Sequence, residues 1–245
     1  MTPVLLCLHG WGGSKESFSE LREALKNTDI EILTPDLPGF GSEPEPDRPW
    51  TVDDYAEWVA KWFEQRTHDK TFYLLGHSHG GRIALKLATH QSALHSSLCI
   101  LHLFLCAPAG IRHERMFRRA AGRALAGAGK TVLSLPGLGR LAPVGKRLLY
   151  KLLRAHDYER ASPRMRETME RVTREDLRPI LKNVAVPTDL FWGTADTMTQ
   201  YTDALLMRKE IPDATLHTFR GARHGIHRTH AAKIAAVIRE RLAPQ

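Results

Sequence analysis

Ser78 stands in the run Gly76-His77-Ser78-His79-Gly80-Gly81, which follows the β-forming stretch Thr71–Leu75 and opens a helix-like stretch containing Ile83, Leu87 and Ala88. A sharp strand-to-helix turn that holds a serine in strained backbone geometry leaves no room for side chains two residues to either side, so glycine is needed there. The pattern offers Ser78 as an exposed nucleophile above a sheet. A plain glycine-rich turn is the alternative. It does not account for the strand before, the helix after, or the two loops that follow later in the chain.

A serine hydroxyl is a weak nucleophile until a base takes its proton, and the base must be oriented by a third group. After the apolar run Thr188–Trp192 comes Gly193-Thr194-Ala195-Asp196, and after Thr215–Phe219 comes Gly221-Ala222-Arg223-His224-Gly225. Both loops leave the carboxyl ends of strands, the edge where open α/β sheets bind ligands. Asp196 is therefore the candidate acid and His224 the candidate base, in the order serine, acid, histidine. The turn Cys106-Ala107-Pro108-Ala109-Gly110 offers no carboxylate, and Asp203 is the fallback acid. His227 and His230 compete with His224 but lie nearer the final helix.

Attack on a carbonyl creates an oxyanion, which needs two backbone N–H donors fixed beforehand. Leu8-His9-Gly10-Trp11-Gly12-Gly13-Ser14 ends the first apolar run, and its glycines let a loop come close. The expected donors are the amides of Trp11 and of His79, the residue after the nucleophile. A phosphate-cradling loop is the rival reading of these glycines, and it fails because no Gly-Lys-Ser/Thr follows. Asp36, in Asp36-Leu37-Pro38-Gly39-Phe40-Gly41-Ser42, reads as part of a structural turn.

The elements that must position these residues are short apolar runs at Val4–Leu8, Ile30–Thr34, Thr71–Leu75, Leu98–Leu105, Thr188–Trp192 and Thr215–Phe219, separated by helix-like stretches. Such alternation predicts a parallel sheet covered by helices. Tyr55, Trp58, Val59, Trp62 and Phe63 form one apolar stripe at helical spacing, as do Ala231, Ile234, Ala235, Ile238 and Leu242. The rhythm breaks between Ala107 and Pro187. There Val144, Leu148, Leu149, Leu152 and Leu153 oppose Lys146, Arg147, Lys151 and Arg154, and a further helix is expected from a Ser162 cap and Pro163, with Met165, Met169 and Val172 inward. Gly122, Gly127, Gly129 and Gly137 with Pro136 and Pro143 suggest a looser, bent lead-in. The expected organisation is a core of residues 1–107 and 187–245 with a helical cap inserted at 108–186.

The 245 residues suffice for one such domain, and 42% hydrophobic with 25% charged residues is ordinary for a soluble enzyme. No apolar run approaches the roughly 18 residues of a membrane span. Thr2-Pro3-Val4 after Met1 lacks the basic start of a secretory signal, so a cytoplasmic location is expected. Cys7, Cys99 and Cys106 read as small buried hydrophobes, not as a disulfide framework or metal site. The formal charge of +8 comes from one segment, since residues 111–182 hold 18 Lys/Arg against 7 Asp/Glu. Without a nucleic-acid motif, this surplus reads as solvated helix faces, with weak association to anionic surfaces the remaining alternative.

His-Gly-x-Gly at His9, Asp-x-Pro-Gly-x-Gly-x-Ser at Asp36 and Gly-His-Ser-x-Gly-Gly at Gly76 make the chain resemble the α/β-hydrolase superfamily. Within it the chain is similar to capped carboxylesterases, lactonases and carbon–carbon bond hydrolases. The likeness covers essentially the whole chain. It implies an α/β-hydrolase fold whose helical cap follows the sixth of the usual eight strands. Serine at position 78 argues against the dehalogenase and epoxide-hydrolase branches, which use aspartate there. Members of the superfamily usually carry an N-terminal hairpin before the His-Gly strand, which here begins near residue 3, so a sheet without it is expected, by nature or through a truncated gene model. A mostly parallel sheet of about six strands is expected, with an edge that a second copy in a homo-oligomer would cover.

The leading expectation is an esterase-type serine hydrolase that forms an acyl-enzyme on Ser78, acts on small-molecule esters of small to medium acyl size, and uses no cofactor or metal. A hydrolase of ring-cleavage diketone acids, a lactonase or a perhydrolase would use the same three side chains. A non-catalytic ligand-binding scaffold is the reading from outside enzymology, and no nucleic-acid partner is expected.

Overall fold

A computed structural model describes residues 2–67, 71–89, 98–113 and 161–242 of the chain. Six strands form one all-parallel sheet in the order β2-β1-β3-β4-β5-β6. They are β1 Val4–Leu8, β2 Glu31–Leu33, β3 Thr71–His77, β4 Cys99–Cys106, β5 Thr188–Gly193 and β6 Ala214–Phe219. Each coincides with one of the apolar runs. β1 and β5 are buried along their whole length, as expected for strands covered on both faces. β2 is short and half-exposed, a modest edge.

The helices among the described residues are α1 Ser19–Leu25, α2 Val52–Glu64, α3 His79–Thr89, α4 Pro163–Arg174, α5 Tyr201–Glu210, α6 Ile226–Thr229 and α7 Ala231–Leu242. Thr51 caps α2, its hydroxyl accepting from Asp54 N while the Asp54 carboxylate accepts from Thr51 N, which satisfies orphan donors at both residues. Tyr55, Val59 and Phe63 are fully buried, while Trp58 and Trp62 are half-buried and stack on each other at 6.3 Å. In α7, Ala231, Ile234, Ala235 and Ile238 face the core.

Ser162 caps α4 and Pro163 occupies its first turn. The inward face is Met165, Thr168 and Val172. Thr168 thus takes the place expected of Met169, because its hydroxyl accepts from Trp50 N at 3.1 Å and so satisfies a buried polar pair. The expected basic helix around Val144–Arg154, the glycine- and proline-rich lead-in at 122–143 and most of the charge surplus lie outside the described residues. All three cysteines are free, and Cys7 and Cys106 are buried. Cys99 is exposed, contrary to the sequence reading, because it begins β4 at the rim of the sheet, where alternate residues face out. Among the described residues no helix is long and apolar enough to cross a membrane, and no three His, Cys, Asp or Glu side chains are grouped to hold a metal ion.

Candidate active site

β3 ends at His77, and the chain turns through Ser78 into α3. Ser78 has φ 52°, a left-handed conformation that costs a non-glycine residue energy. Two bonds to the end of β4 hold it: Ser78 N donates to Cys106 O at 3.2 Å, and Ala109 N donates to Ser78 O at 2.9 Å. The flanking glycines are a matter of space. A Cβ on Gly80 would fall 2.1 Å from Leu8 O, and one on Gly76 would fall 2.6 Å from Gly80 O. The elbow is therefore wedged against the end of β1, where the His-Gly loop begins.

His9 fixes that loop. Its Nε2 accepts from Leu37 N at 2.9 Å, so in the neutral ring Nδ1 carries the proton and donates to Gly10 O at 2.8 Å. Burial favours that neutral ring by lowering the His9 pKa. Among the described residues no backbone hydrogen bond uses the amide of Trp11 or of His79. The His79 amide directly follows Ser78 at the N-terminus of α3, where the helix dipole favours negative charge.

Asp196 follows β5 and His224 follows β6. Their side chains meet, His224 Nδ1 lying 2.7 Å from Asp196 Oδ2. Asp196 Oδ1 accepts from Met198 N at 2.8 Å and Thr199 N at 3.1 Å, and Oδ2 also accepts from Thr199 Oγ1 at 2.9 Å. Burial pushes the Asp196 pKa up, but the bonds from His224, Met198 and Thr199 outweigh it and hold the carboxyl below its ordinary value. An ionised Asp196 keeps the proton on His224 Nδ1. His224 Nε2 is left buried and without a hydrogen-bond partner, the Ser78 hydroxyl included. Such bonds often tighten only when substrate arrives.

The rival residues have other partners. Asp203 is bonded to His113 Nε2 at 2.7 Å, and burial raises its pKa despite that partner. His230 Nδ1 lies 2.9 Å from Thr229 Oγ1. His227 is buried between Phe18 and His77, with burial lowering its pKa to about 4. Asp36 is structural: its carboxylate accepts from Lys15 N, Ser42 N and Ser42 Oγ, closing the turn through Gly41 at φ 58°.

Thr199 escaped the sequence reading, although Asp196-x-x-Thr199 is the spacing of an aspartate whose carboxylate caps the turn that follows it. An aromatic wall also stands beside the elbow. Tyr55 meets His79 edge-on at 4.9 Å, His79 meets Trp11 at 5.4 Å, and Trp11 meets Phe40 at 4.9 Å. Both His79 ring nitrogens are buried without partners, and burial lowers its pKa to about 3. α4 docks on the same side through Arg164 to Pro46 O at 2.8 Å and Ser162 to Glu45 at 2.7 Å.

A family model described as "Alpha/beta hydrolase family" matches residues 5–237. A pimeloyl-[acyl-carrier protein] methyl ester esterase of Neisseria meningitidis is 26% identical over 247 residues, covering 95% of this chain and 91% of that protein. An esterase from Exiguobacterium antarcticum superposes with a TM-score of 0.73 at 20% identity, over 98% of this chain and 92% of its own. A hydrolase from Pseudomonas aeruginosa gives 0.72 at 22% identity, over 99% and 91%.

Proposed function

Because the chain belongs to the alpha/beta hydrolase family and is a carboxylesterase-like enzyme, we propose that it cleaves carboxylic esters of small to medium acyl size through an acyl-enzyme on Ser78. The observation that carries this reading is the Asp196–His224 pair. With Nδ1 committed to Asp196 at 2.7 Å, Nε2 is the nitrogen that can take a proton, and it is otherwise unpartnered.

Ser78 Oγ bonds to the ester carbonyl carbon while its proton passes to His224 Nε2. The carbonyl oxygen becomes an oxyanion held by the free amides of Trp11 and His79, an arrangement whose removal typically costs about 10²–10³ in rate per donor. Collapse breaks the bond to the alcohol, which leaves with the proton from Nε2. Water then attacks the acyl-enzyme, gives its proton to Nε2, and the acid departs as the proton returns to Ser78. Asp196 stays ionised throughout and stabilises the imidazolium.

The insertion at 108–186 acts in this reading as a cap over Ser78. Met165 of α4 reaches Gly39, beside Phe40 of the aromatic wall, which supports an apolar acyl site. The Neisseria relative acts on a methyl ester, which supports a small leaving alcohol. The free thiols of Cys7, Cys99 and Cys106 suit a reducing compartment such as the cytoplasm.

A panel of neutral p-nitrophenyl esters from acetate to dodecanoate tests the proposal beside matched carboxylate-bearing methyl esters and a ring-cleavage diketone acid. Best kcat/KM on short neutral esters is expected. A preference of about a hundredfold for the anionic compounds, about 2.7 kcal/mol in the transition state, would replace this substrate class by the anionic esters or the diketone acids.

A further inference from the structure

His77 performs no step in the mechanism above, yet loops from two other strand ends meet on its ring. Its Nε2 lies 3.2 Å from the main-chain oxygen of His224. A carbonyl oxygen only accepts, so Nε2 carries the proton and Nδ1 is bare in the neutral ring. The ring packs on His227, with centroids 3.7 Å apart and planes 34° from parallel, and its centroid is 4.9 Å from that of His224. On the other side a Cβ on Gly10 would fall 2.9 Å from His77 Nδ1, so the loop carrying Trp11 passes directly against it. The ring is 8% exposed. Burial, helped by His227 and His224, holds its pKa well below the ordinary histidine value. It therefore stays neutral and does not repel an imidazolium on His224.

The His224 loop is tied to the Asp196 loop just before the base, where Gly221 N donates to Thr194 Oγ1 at 2.8 Å and Ala195 N donates to Ala222 O at 2.9 Å. Among the described residues no other hydrogen bond is made to the main chain of Arg223 or His224. The side chain of His224 is bound at one nitrogen only, Nδ1, and rotation of its backbone would swing Nε2 away from Ser78.

We infer that His77 is a positioning residue for the reaction, which donates its Nε2 proton to the His224 carbonyl and so ties the main chain of the base to the strand that ends in the nucleophile. The inference rests on the assignment of Ser78 and His224 above. The dipeptide His77-Ser78 then supplies both the attacking group and the brace that aims the base at it. Misplacement by about an ångström is enough to cost on the order of a hundredfold in rate, so loss of the brace reads as a loss of kcat. His77 is buried, so KM is expected to be spared.

The test compares the full-length wild type with H77F, which keeps a ring without a donor, and H77Q, whose amide nitrogen sits near the position of Nε2. Steady-state hydrolysis of p-nitrophenyl acetate, thermal midpoint and the rate of fluorophosphonate labelling are measured for each. H77F is expected to lower kcat by about 10- to 100-fold with KM within about threefold, and labelling should slow in parallel. H77Q should recover kcat to within about fivefold of wild type, which a purely space-filling role would not do. If the larger ring of H77F crowds Gly10 and prevents folding, H77M removes the donor without a rigid ring and carries the same expectation. A donorless variant that keeps kcat within about threefold, raises KM alone, or matches H77Q overturns the inference while leaving the serine mechanism standing. A wild type that neither hydrolyses the ester nor takes up the fluorophosphonate overturns both.

Discussion

Thr199 Oγ1 donates to Asp196 Oδ2 at 2.9 Å, the same carboxylate oxygen that lies 2.7 Å from His224 Nδ1. The hydroxyl also reaches Ala107 O at 3.3 Å, so its single proton is shared between the acid loop and the end of β4. Asp196 is thereby tied to the strand that also braces Ser78. Asp196, His224 and Ser78 sit on three different strand ends, and bonds of this kind fix their mutual distances.

Replacing Thr199 with valine keeps the shape and removes the donor to the carboxylate. A hydrogen bond to a charged group contributes about 1.5–3 kcal/mol, but the amides of Met198 and Thr199 still hold Oδ1. T199V should therefore lower kcat by about tenfold, equivalent to about 1.4 kcal/mol, with KM nearly unchanged. Steady-state kinetics on p-nitrophenyl acetate reads this directly, and an unchanged kcat would show that the threonine is dispensable.

Asp196→Asn should cut kcat by about 10³-fold or more, because the amide cannot hold His224 in the right tautomer. Asp203→Asn should stay within about threefold, since its partner is His113. If the two rank in reverse, the acid is Asp203.

Buried neutral histidines set the acid side of stability. His79 and His227 have folded pKa values of about 3 and about 4, below their ordinary value near 6.5, mainly through burial. Between those values the unfolded chain binds more protons, so stability is full above about pH 6.5 and is lost as pH falls toward 4 and 3. His79 alone accounts for about 2 kcal/mol at pH 5. The pKa of Asp196 is depressed instead, so its contribution is present above about pH 4 and is lost below that. H79M should shrink the difference in urea midpoint between pH 7 and pH 5. It should also raise the midpoint at pH 7, because two unpartnered ring nitrogens are removed. An unchanged pH dependence would contradict the assignment.

Asp189 on β5 accepts from His102 Nε2 at 2.8 Å, His217 Nε2 at 2.6 Å and Arg241 Nε at 2.9 Å, and is 1% exposed. The cluster lies at the opposite end of β5 from Asp196 and staples the end of α7 to the sheet. Asp189→Asn leaves Arg241 without its buried anion and should cost roughly 3 kcal/mol by denaturant unfolding, with kcat per folded molecule unchanged. A loss of kcat without a loss of stability would mean that this end of the sheet communicates with the site.

The strands were legible because burial on both faces demands continuous apolar runs, and Val4–Leu8 and Thr188–Trp192 are such runs. The elbow was legible because its glycines answer local collisions, as at Gly76 and Gly80. His77 and Asp189 were not, since each acts through a partner the fold brings from far along the chain, His224 and Arg241, whereas Thr199 carried a local signal in its spacing from Asp196. Asp189 in particular lay inside an apolar run whose average concealed one charge. Met169 was misplaced because hydrophobicity outranked the buried hydrogen bond that draws Thr168 inward.

Covalent acylation of Ser78 is the step on which the proposed reaction turns. Stopped-flow hydrolysis of p-nitrophenyl acetate by wild type and S78A, with mass spectrometry of acid-quenched protein, tests it most directly. Wild type should release a burst of p-nitrophenol near one equivalent when deacylation is slow, and carry an acetyl group of about 42 Da on the peptide containing Ser78. S78A, lacking one hydroxyl, should fold normally and show neither burst, adduct nor turnover. Turnover retained in S78A, or an acetyl group confined to another residue, would show that Ser78 is not the nucleophile.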